Sequence, residues 1–133
     1  MSRKCILIVE DDEDIRSSFA LALEEEGYTA LLAHHGRSAL ALLAGLNDSD
    51  LPSCIILEIM MPEMNGLEFL AAIKSGAYPR CAEIPVIIAT AQGSPVDPEM
   101  IPLSVERIQK PMDLDELYRV VRKHCESTAE RMR

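Results

Sequence analysis

Short apolar runs alternate with longer amphipathic stretches along this chain. Cys5–Val9 is continuously apolar and rich in Ile and Val, the pattern of a strand buried on both faces. From Asp14 to Glu26 the apolar residues Ile15, Phe19, Ala22 and Leu23 recur at helical spacing, and Gly27 is placed to end that helix. Thr29–Ala33 predicts a second strand, and Gly36–Ala44 a helix with Ala39, Leu40 and Leu43 on one face. Leu46–Ser53 holds Asn47, Asp48, Ser49, Asp50 and Pro52, so it reads as a loop. Cys54–Leu57 predicts a third buried strand, Leu67–Ser75 a helix closed by Gly76, and Pro85–Ala89 a fourth strand. Arg107–Gln109 predicts a short fifth strand. Asp113–His124 predicts the last helix, with Asp113 at its cap and Glu116 three residues on, as in a capping box.

Strands alternating with helices imply a parallel sheet covered on both faces. The expected fold is α/β: a flavodoxin-like doubly wound sheet of five parallel strands in the order 2-1-3-4-5, with helices on both faces. One stretch breaks the rhythm. Gln92–Ser104 belongs to a helix between strands four and five, yet it contains Gly93, Pro95, Pro98 and Pro102. Proline removes backbone donors, so at most a short turn is expected there, a fourth helix shortened or irregular. Residues 1–125 are expected to form the domain. Residues 126–133 form a polar C-terminal tail that frays or prolongs the last helix.

Composition narrows the picture. With 133 residues the chain suits one domain with a real core. Aromatics make up 4% and Trp is absent, so that core is built from Leu, Ile, Val, Ala and Met. A formal net charge of −9 makes nucleic acid a poor direct partner, because its phosphates are repelled. The first apolar run is too short for a secretory or membrane-spanning segment, so a cytoplasmic protein without membrane contact is expected. Cys5, Cys54, Cys81 and Cys125 show no C-x-x-C spacing, which argues against zinc. Cys5 and Cys54 each open a strand and are expected to be neighbours, as buried thiols in a reducing cytosol rather than a disulfide.

Ligands of such folds sit beyond the carboxyl ends of the strands. Glu10, Asp11 and Asp12 follow the first strand, Glu58 the third, Thr90 the fourth, and Lys110-Pro111 the fifth. Together they converge carboxylates, a hydroxyl and an ammonium. Packed carboxylates repel and call for a cation, and hard oxygen donors with room for water suit Mg²⁺. Thr90 and Lys110 are of the kind that holds phosphoryl oxygens. The plainer reading, that Glu10–Asp14 is a solvated acidic helix start, accounts for the first run alone. His34 and His35 have no third ligand at useful spacing and are expected at the surface. His124 falls late in the last helix, where a cation suits the dipole. Met60, Met61 and Met64 are expected to pack.

The chain resembles the receiver domain of two-component response regulators over nearly its whole length. The resemblance rests on Ile6-Leu7-Ile8-Val9-Glu10-Asp11-Asp12, on Glu58-Ile59-Met60-Met61-Pro62-Glu63-Met64-Asn65-Gly66, on Pro85-Val86-Ile87-Ile88-Ala89-Thr90-Ala91, and on Lys110-Pro111, in order and at the family's spacing. It implies a phosphorelay module whose Glu10 and Asp11 hold Mg²⁺ with the residue at 58 and the Met60 carbonyl. It also implies that Thr90 and Lys110 contact a phosphoryl group, and that the Lys110-Pro111 bond is cis.

The sequence departs from that family at three places. The phospho-acceptor is Asp in the family and Glu58 here, an atypical phosphosite one methylene longer (~1.5 Å of extra reach). Misplacing the attacking oxygen by about 1 Å can cost on the order of a hundredfold in phosphoryl transfer. Glu58 then imitates the phosphorylated state, or belongs to a drifted, phosphorylation-independent binding module, or is itself still phosphorylated or introduced by design. Arg107 stands where the family has its switch aromatic, and the cost of burying its charge keeps it at the surface. The proline-rich Gln92–Ser104 stretch is the third departure.

The leading expectation is a stand-alone or excised receiver, not an enzyme, acting by protein–protein interaction. Its partner is a histidine kinase, a phosphotransfer protein or a downstream effector. The alternative is a Mg²⁺-dependent acidic-site phosphatase or phosphotransferase, for which Asp12-x-Asp14 offers a D-x-D spacing. A flavin carrier of the same fold needs a Ser/Thr/Gly-rich loop after the first strand, where this chain is acidic.

Overall fold

The structure, a computed structural model, describes residues 4–59, 61, 64–91, 106–110 and 113–131. In chain order it contains β1 (Cys5–Val9), α1 (Glu13–Glu25), β2 (Thr29–Ala33), α2 (Gly36–Ala44), β3 (Cys54–Glu58), α3 (Gly66–Lys74), β4 (Val86–Ala91), β5 (Glu106–Lys110) and α4 (Leu114–Arg131). All strand pairs are parallel, and the order is β2-β1-β3-β4-β5. This is the doubly wound arrangement that the sequence predicts.

Alternation along the strands divides the interior into two layers. Leu7, Val9, Ile55, Leu57, Val86 and Ile88 pack with Ala39 and Leu43 of α2 and Phe69, Leu70 and Ile73 of α3. Ile6, Ile8, Cys54, Ile56, Ile87 and Ala89 pack on the opposite face, with Phe19 and Leu23 of α1 and Leu117, Val120 and Val121 of α4. Helices on both faces leave no strand residue at the sheet centre a polar choice, which is why β1, β3 and β4 read as unbroken apolar runs.

Each helix starts on a polar side chain that accepts from the first turn. Asp12 Oδ1 accepts from the Ile15 N–H at 3.0 Å, and Asp113 Oδ1 from the Asp115 N–H at 3.0 Å. Asn65 and Glu68 form a reciprocal capping box on α3, at 2.9 and 3.2 Å. Helix α1 closes in a Schellman arrangement: the N–H groups of Gly27 and Tyr28 donate to the Glu24 and Leu23 carbonyls, and Gly27 takes φ +94°. Away from the acidic edge, Arg80 clamps the end of α2 by donating to the Leu46 carbonyl at 2.8 Å and the Leu43 carbonyl at 3.2 Å, with Asp48 Oδ1 at 2.8 Å.

Boundaries differ from the expectations by a residue or two, apart from the last helix. It runs to Arg131, so 126–131 prolong it. That extension corrects the reading of His124. The ring lies not at the helix end but in mid-helix, 6% exposed, with Nε2 at 3.0 Å from Glu106 Oε2 on β5. The loop between α2 and β3 contains a 3-10 turn at Asp48–Asp50. Residues 92–105, where the shortened or irregular helix is expected, lie outside the described residues, as does Pro111 with its expected cis bond.

The Glu106–His124 contact sets a pH dependence. The His124 hydrogen bond, opposed by burial and helped by Lys123 with Nζ at 3.6 Å, lowers the Glu106 carboxyl below its ordinary value. A carboxyl lowered in the folded state contributes stability above its unfolded value of roughly 4.3 and loses it as pH falls through the folded one. Glu106→Gln is therefore expected to cost about 1–2 kcal/mol near pH 7. In urea melts across pH, the gap between parent and variant should close below about pH 4; a gap independent of pH would contradict this origin.

Candidate functional site at the carboxyl edge of the sheet

The register places the predicted residues side by side. Val9 pairs with Leu57 and Glu58 with Ala89, so Glu10 follows β1 next to Glu58 at the end of β3. Thr90 lies one residue past Ala89, and Lys110 closes β5 opposite Ala91. Glu10 and Glu58 share the strand parity of Ile8 and Ile56, which brings two carboxylates to one side of neighbouring strands. Both are buried, at 2% and 5% exposure, and Thr90 is 8% exposed.

The acidic run after β1 divides into separate roles. Glu10 turns inward, and its Oε2 accepts from the Asp12 N–H at 3.2 Å. Arg16, one turn into α1, donates to the Glu10 carbonyl at 2.8 Å and holds this corner shut. Asp12 caps α1, while Glu13 and Asp14 stand exposed in its first turn, where the helix dipole favours them. The solvated-helix-start reading thus fits Asp12–Asp14, and Glu10 departs from it. With Asp12 committed to the cap and Asp14 in solvent, the D-x-D pair does not form an enclosed nucleophile. Asp11 is exposed.

Among the described residues, no group of three or more His, Cys, Asp or Glu side chains converges to hold a metal. Mg²⁺ needs only one or two carboxylates and keeps several waters. Two buried carboxylates on adjacent strand ends, with Asp11 beside them in sequence, are a donor set that fits this ion. Met60 lies outside the described residues.

Other expectations sort as follows. Arg107 is exposed on β5, as the cost of burying its charge requires. Met61 is 8% exposed, and Met64 packs against the core layer of α2 and α3. His34 is exposed, but His35 has a role that its sequence context only hints at. Its Nδ1 accepts from the Ser38 N–H at 3.0 Å while Ser38 Oγ accepts from the His35 N–H at 3.3 Å, a capping box at the start of α2. The signal was a Ser three residues on, not the usual Glu or Gln.

Gly66 is the other residue whose part emerges only in space. A Cβ there would lie 2.6 Å from both the Glu58 carbonyl oxygen and the Ile59 Cα, and the Gly66 N–H donates to the Ile59 carbonyl at 2.8 Å. The first turn of α3 thus rests directly on the backbone that carries Glu58.

The family model for the response regulator receiver domain matches residues 6–122. Response regulator MprA of Mycobacterium ulcerans is 35% identical over 115 residues, covering 84% of this chain and 46% of the relative. The chain therefore spans about half the length of that curated relative. A 14.6 kDa uncharacterized protein of Leptolyngbya boryana is 32% identical over 122 residues, covering 90% of this chain and 88% of the relative. Among solved structures, the receiver domain of Francisella response regulator 1452 superposes with a TM-score of 0.80 at 26% identity, covering 95% of this chain and 99% of that one. The chemotaxis protein CheY4 of Vibrio cholerae shares the fold, with a TM-score of 0.78 at 23% identity over 92% of this chain and 99% of that one. The chain belongs to the receiver-domain family of two-component response regulators. Such domains are in general signalling modules with protein partners, and they generally bind Mg²⁺ at an acidic site. No helix among the described residues is long and apolar enough to cross a membrane.

The close approach at Gly66 yields a prediction. Gly66→Ala is expected to lower stability by about 2 kcal/mol or more, since the clash is with backbone that cannot rotate away. Gly45→Ala, whose Cβ would meet only ordinary contacts at 3.7 Å, serves as the control. Equal urea midpoints for the two variants would count against the packing described.

Proposed function

We propose that this receiver works without phosphorylation at position 58, by binding protein partners of the two-component system, with the Glu58 carboxylate standing where a phosphoryl group would otherwise be built. The observation that carries this reading is the burial of Glu58, 5% exposed at the end of β3 beside the buried Glu10. A longer carboxylate kept out of solvent at this strand end would occupy the space of a phosphoryl group. In this role Glu58 imitates the phosphorylated state, the domain turns over no substrate, and it acts in the cytoplasm on a histidine kinase, a phosphotransfer protein or a downstream effector. Neither nucleic acid nor membrane is a direct partner, in keeping with the net charge of −9.

The metal belongs to the same proposal. Glu10, Asp11, Glu58 and the Met60 carbonyl would hold Mg²⁺, which supplies the counter-charge that adjacent carboxylates need. Asp11 would supply its carboxylate from solvent, Glu10 from the corner shut by Arg16. Titrating Mg²⁺ is expected to raise the Tm of the parent chain, because the ion binds only the folded state. An equal rise in Asp11→Ala would place the ion elsewhere.

The central test uses the nucleophile itself. Incubation with a small acyl phosphate and Mg²⁺, followed by intact mass, should leave the parent chain unmodified. Glu58→Asp should gain one phosphoryl group, because shortening the side chain restores in-line reach and empties the space for the incoming group. Phosphorylation of the parent at Glu58 would overturn the proposal. Comparing the partners captured by the two chains, with and without acyl phosphate, then separates mimicry from indifference. A mimic binds the same partners as phosphorylated Glu58→Asp.

A further inference from the structure

The two edges of the sheet are built differently. One edge is β5, which carries Glu106, Arg107 and Lys110. Charged side chains of this kind are a common guard against pairing with another chain. The other edge is β2, which reads Thr29-Ala30-Leu31-Leu32-Ala33 and holds neither a charge nor a proline. Thr29 and Leu32 are exposed and Ala30 and Leu31 half-buried, with Leu32 at 43%.

The backbone of β2 decides which groups face outward. The Thr29 N–H donates to the Lys4 carbonyl at 2.9 Å, and the Ala33 carbonyl accepts from the Glu10 N–H at 3.1 Å. With Leu31 paired to Leu7 between them, Thr29, Leu31 and Ala33 turn their main-chain groups toward β1. Ala30 and Leu32 therefore turn theirs away from the sheet. Side chains alternate as well: Leu31 and Ala33 pack in the layer of α2 and α3, while Ala30 packs in the layer of α1 and α4. Leu32 shares the parity of Ala30 and stands on the α1 side.

We propose that β2 is the docking edge for a second copy of this chain, two β2 strands pairing antiparallel about a twofold axis at Leu31. In that register Ala30 of one copy lies opposite Leu32 of the other, and each such pair exchanges both main-chain bonds, so every outward group is used. Leu32 then covers Ala30 across the junction on one face, and Leu31 meets its own counterpart on the other. Charge selects the direction. Exposed Glu24, Glu25 and Glu26 precede β2, whereas His34 and the exposed Arg37 follow it. Antiparallel pairing sets the acidic end of each strand beside the basic end of the other; parallel pairing would put like beside like. Each copy offers one such edge, so the symmetry closes at a dimer. The net charge of −9 on each copy opposes approach at long range. Physiological salt screens that repulsion beyond ~8 Å and leaves the contact itself.

The test is sedimentation equilibrium of the full chain over a range of concentrations at ~0.15 M salt. The mass is expected to rise from one chain toward two and no further. Amide exchange at Ala30 and Leu32 should slow as concentration rises, with β5 unchanged. Leu32→Lys should raise the dimer Kd by about tenfold or more. Leu114→Lys, the same change at a leucine 48% exposed on α4, should leave it unaltered. Leu32→Pro removes an outward N–H that the sheet does not use, and should weaken the dimer equally. Should neither Leu32 variant fold, the exchange pattern of the parent chain decides. A chain that stays monomeric up to ~1 mM overturns the proposal and leaves the edge to an extended segment of another protein. A dimer whose protection falls on α4 or β5 instead of Ala30 and Leu32 overturns it too.

Discussion

The structure depends on β3 being buried on both faces in the middle of the sheet. Its neighbours β1 and β4 cover both edges, and α1 with α4 and α2 with α3 cover the two faces. Such a strand cannot carry a polar side chain until it emerges from the layers, and Glu58 is its last residue. The same requirement fixes where β1 and β4 turn polar, at Glu10 and Thr90. The chemical groups are thus collected at one edge because hydrophobic layering ends there on three adjacent strands at once.

This explains what could be read in advance. Buried strands and amphipathic helices have different periods, so the elements among the described residues, their order and the polar residues that follow each strand were legible in the sequence. The parallel sheet then followed from chain alternation. Relations that depend on a backbone approaching another backbone were not legible. Gly66 reads as one more glycine in a loop until its missing Cβ is seen to face the Glu58 carbonyl. His35 reads as a surface histidine until its ring accepts the Ser38 N–H. His124 was misplaced because the polar residues after Cys125 gave no apolar stripe to mark the helix as continuing, although Arg131 still belongs to it.

Several cationic side chains serve the backbone. Among the described residues, Lys4, Arg16, Lys74 and Arg80 donate to main-chain carbonyls: of Cys125, of Glu10, of Ala82 and Ile84, and of Leu43 and Leu46. A carbonyl left bare at a helix end or tight loop costs as much as a lost hydrogen bond, and a long cationic side chain can reach it while its stem covers apolar surface. Burial lowers the Lys74 ammonium below its ordinary range, the cost of placing it where the connection to β4 needs a donor. The chain as a whole carries a formal net charge of −9 and so an acidic field.

The same backbone contacts bear on the extra methylene of Glu58. A strand can often absorb a longer side chain by letting its backbone recede. That route is closed here, because α3 rests on the Glu58 carbonyl and Ile59 through Gly66, and the β3–β4 register holds Glu58 opposite Ala89. On the other side Arg16 and the Asp12 N–H fix Glu10. The added length, about 1.5 Å, must go into the reach of the carboxylate itself. In the proposed role it extends from the strand end into the region that a shorter acid would leave open. In the role proposed for Glu58, the substitution alters two quantities together: it lengthens the nucleophile, and it sets the carboxylate in the space where a phosphoryl group would be formed.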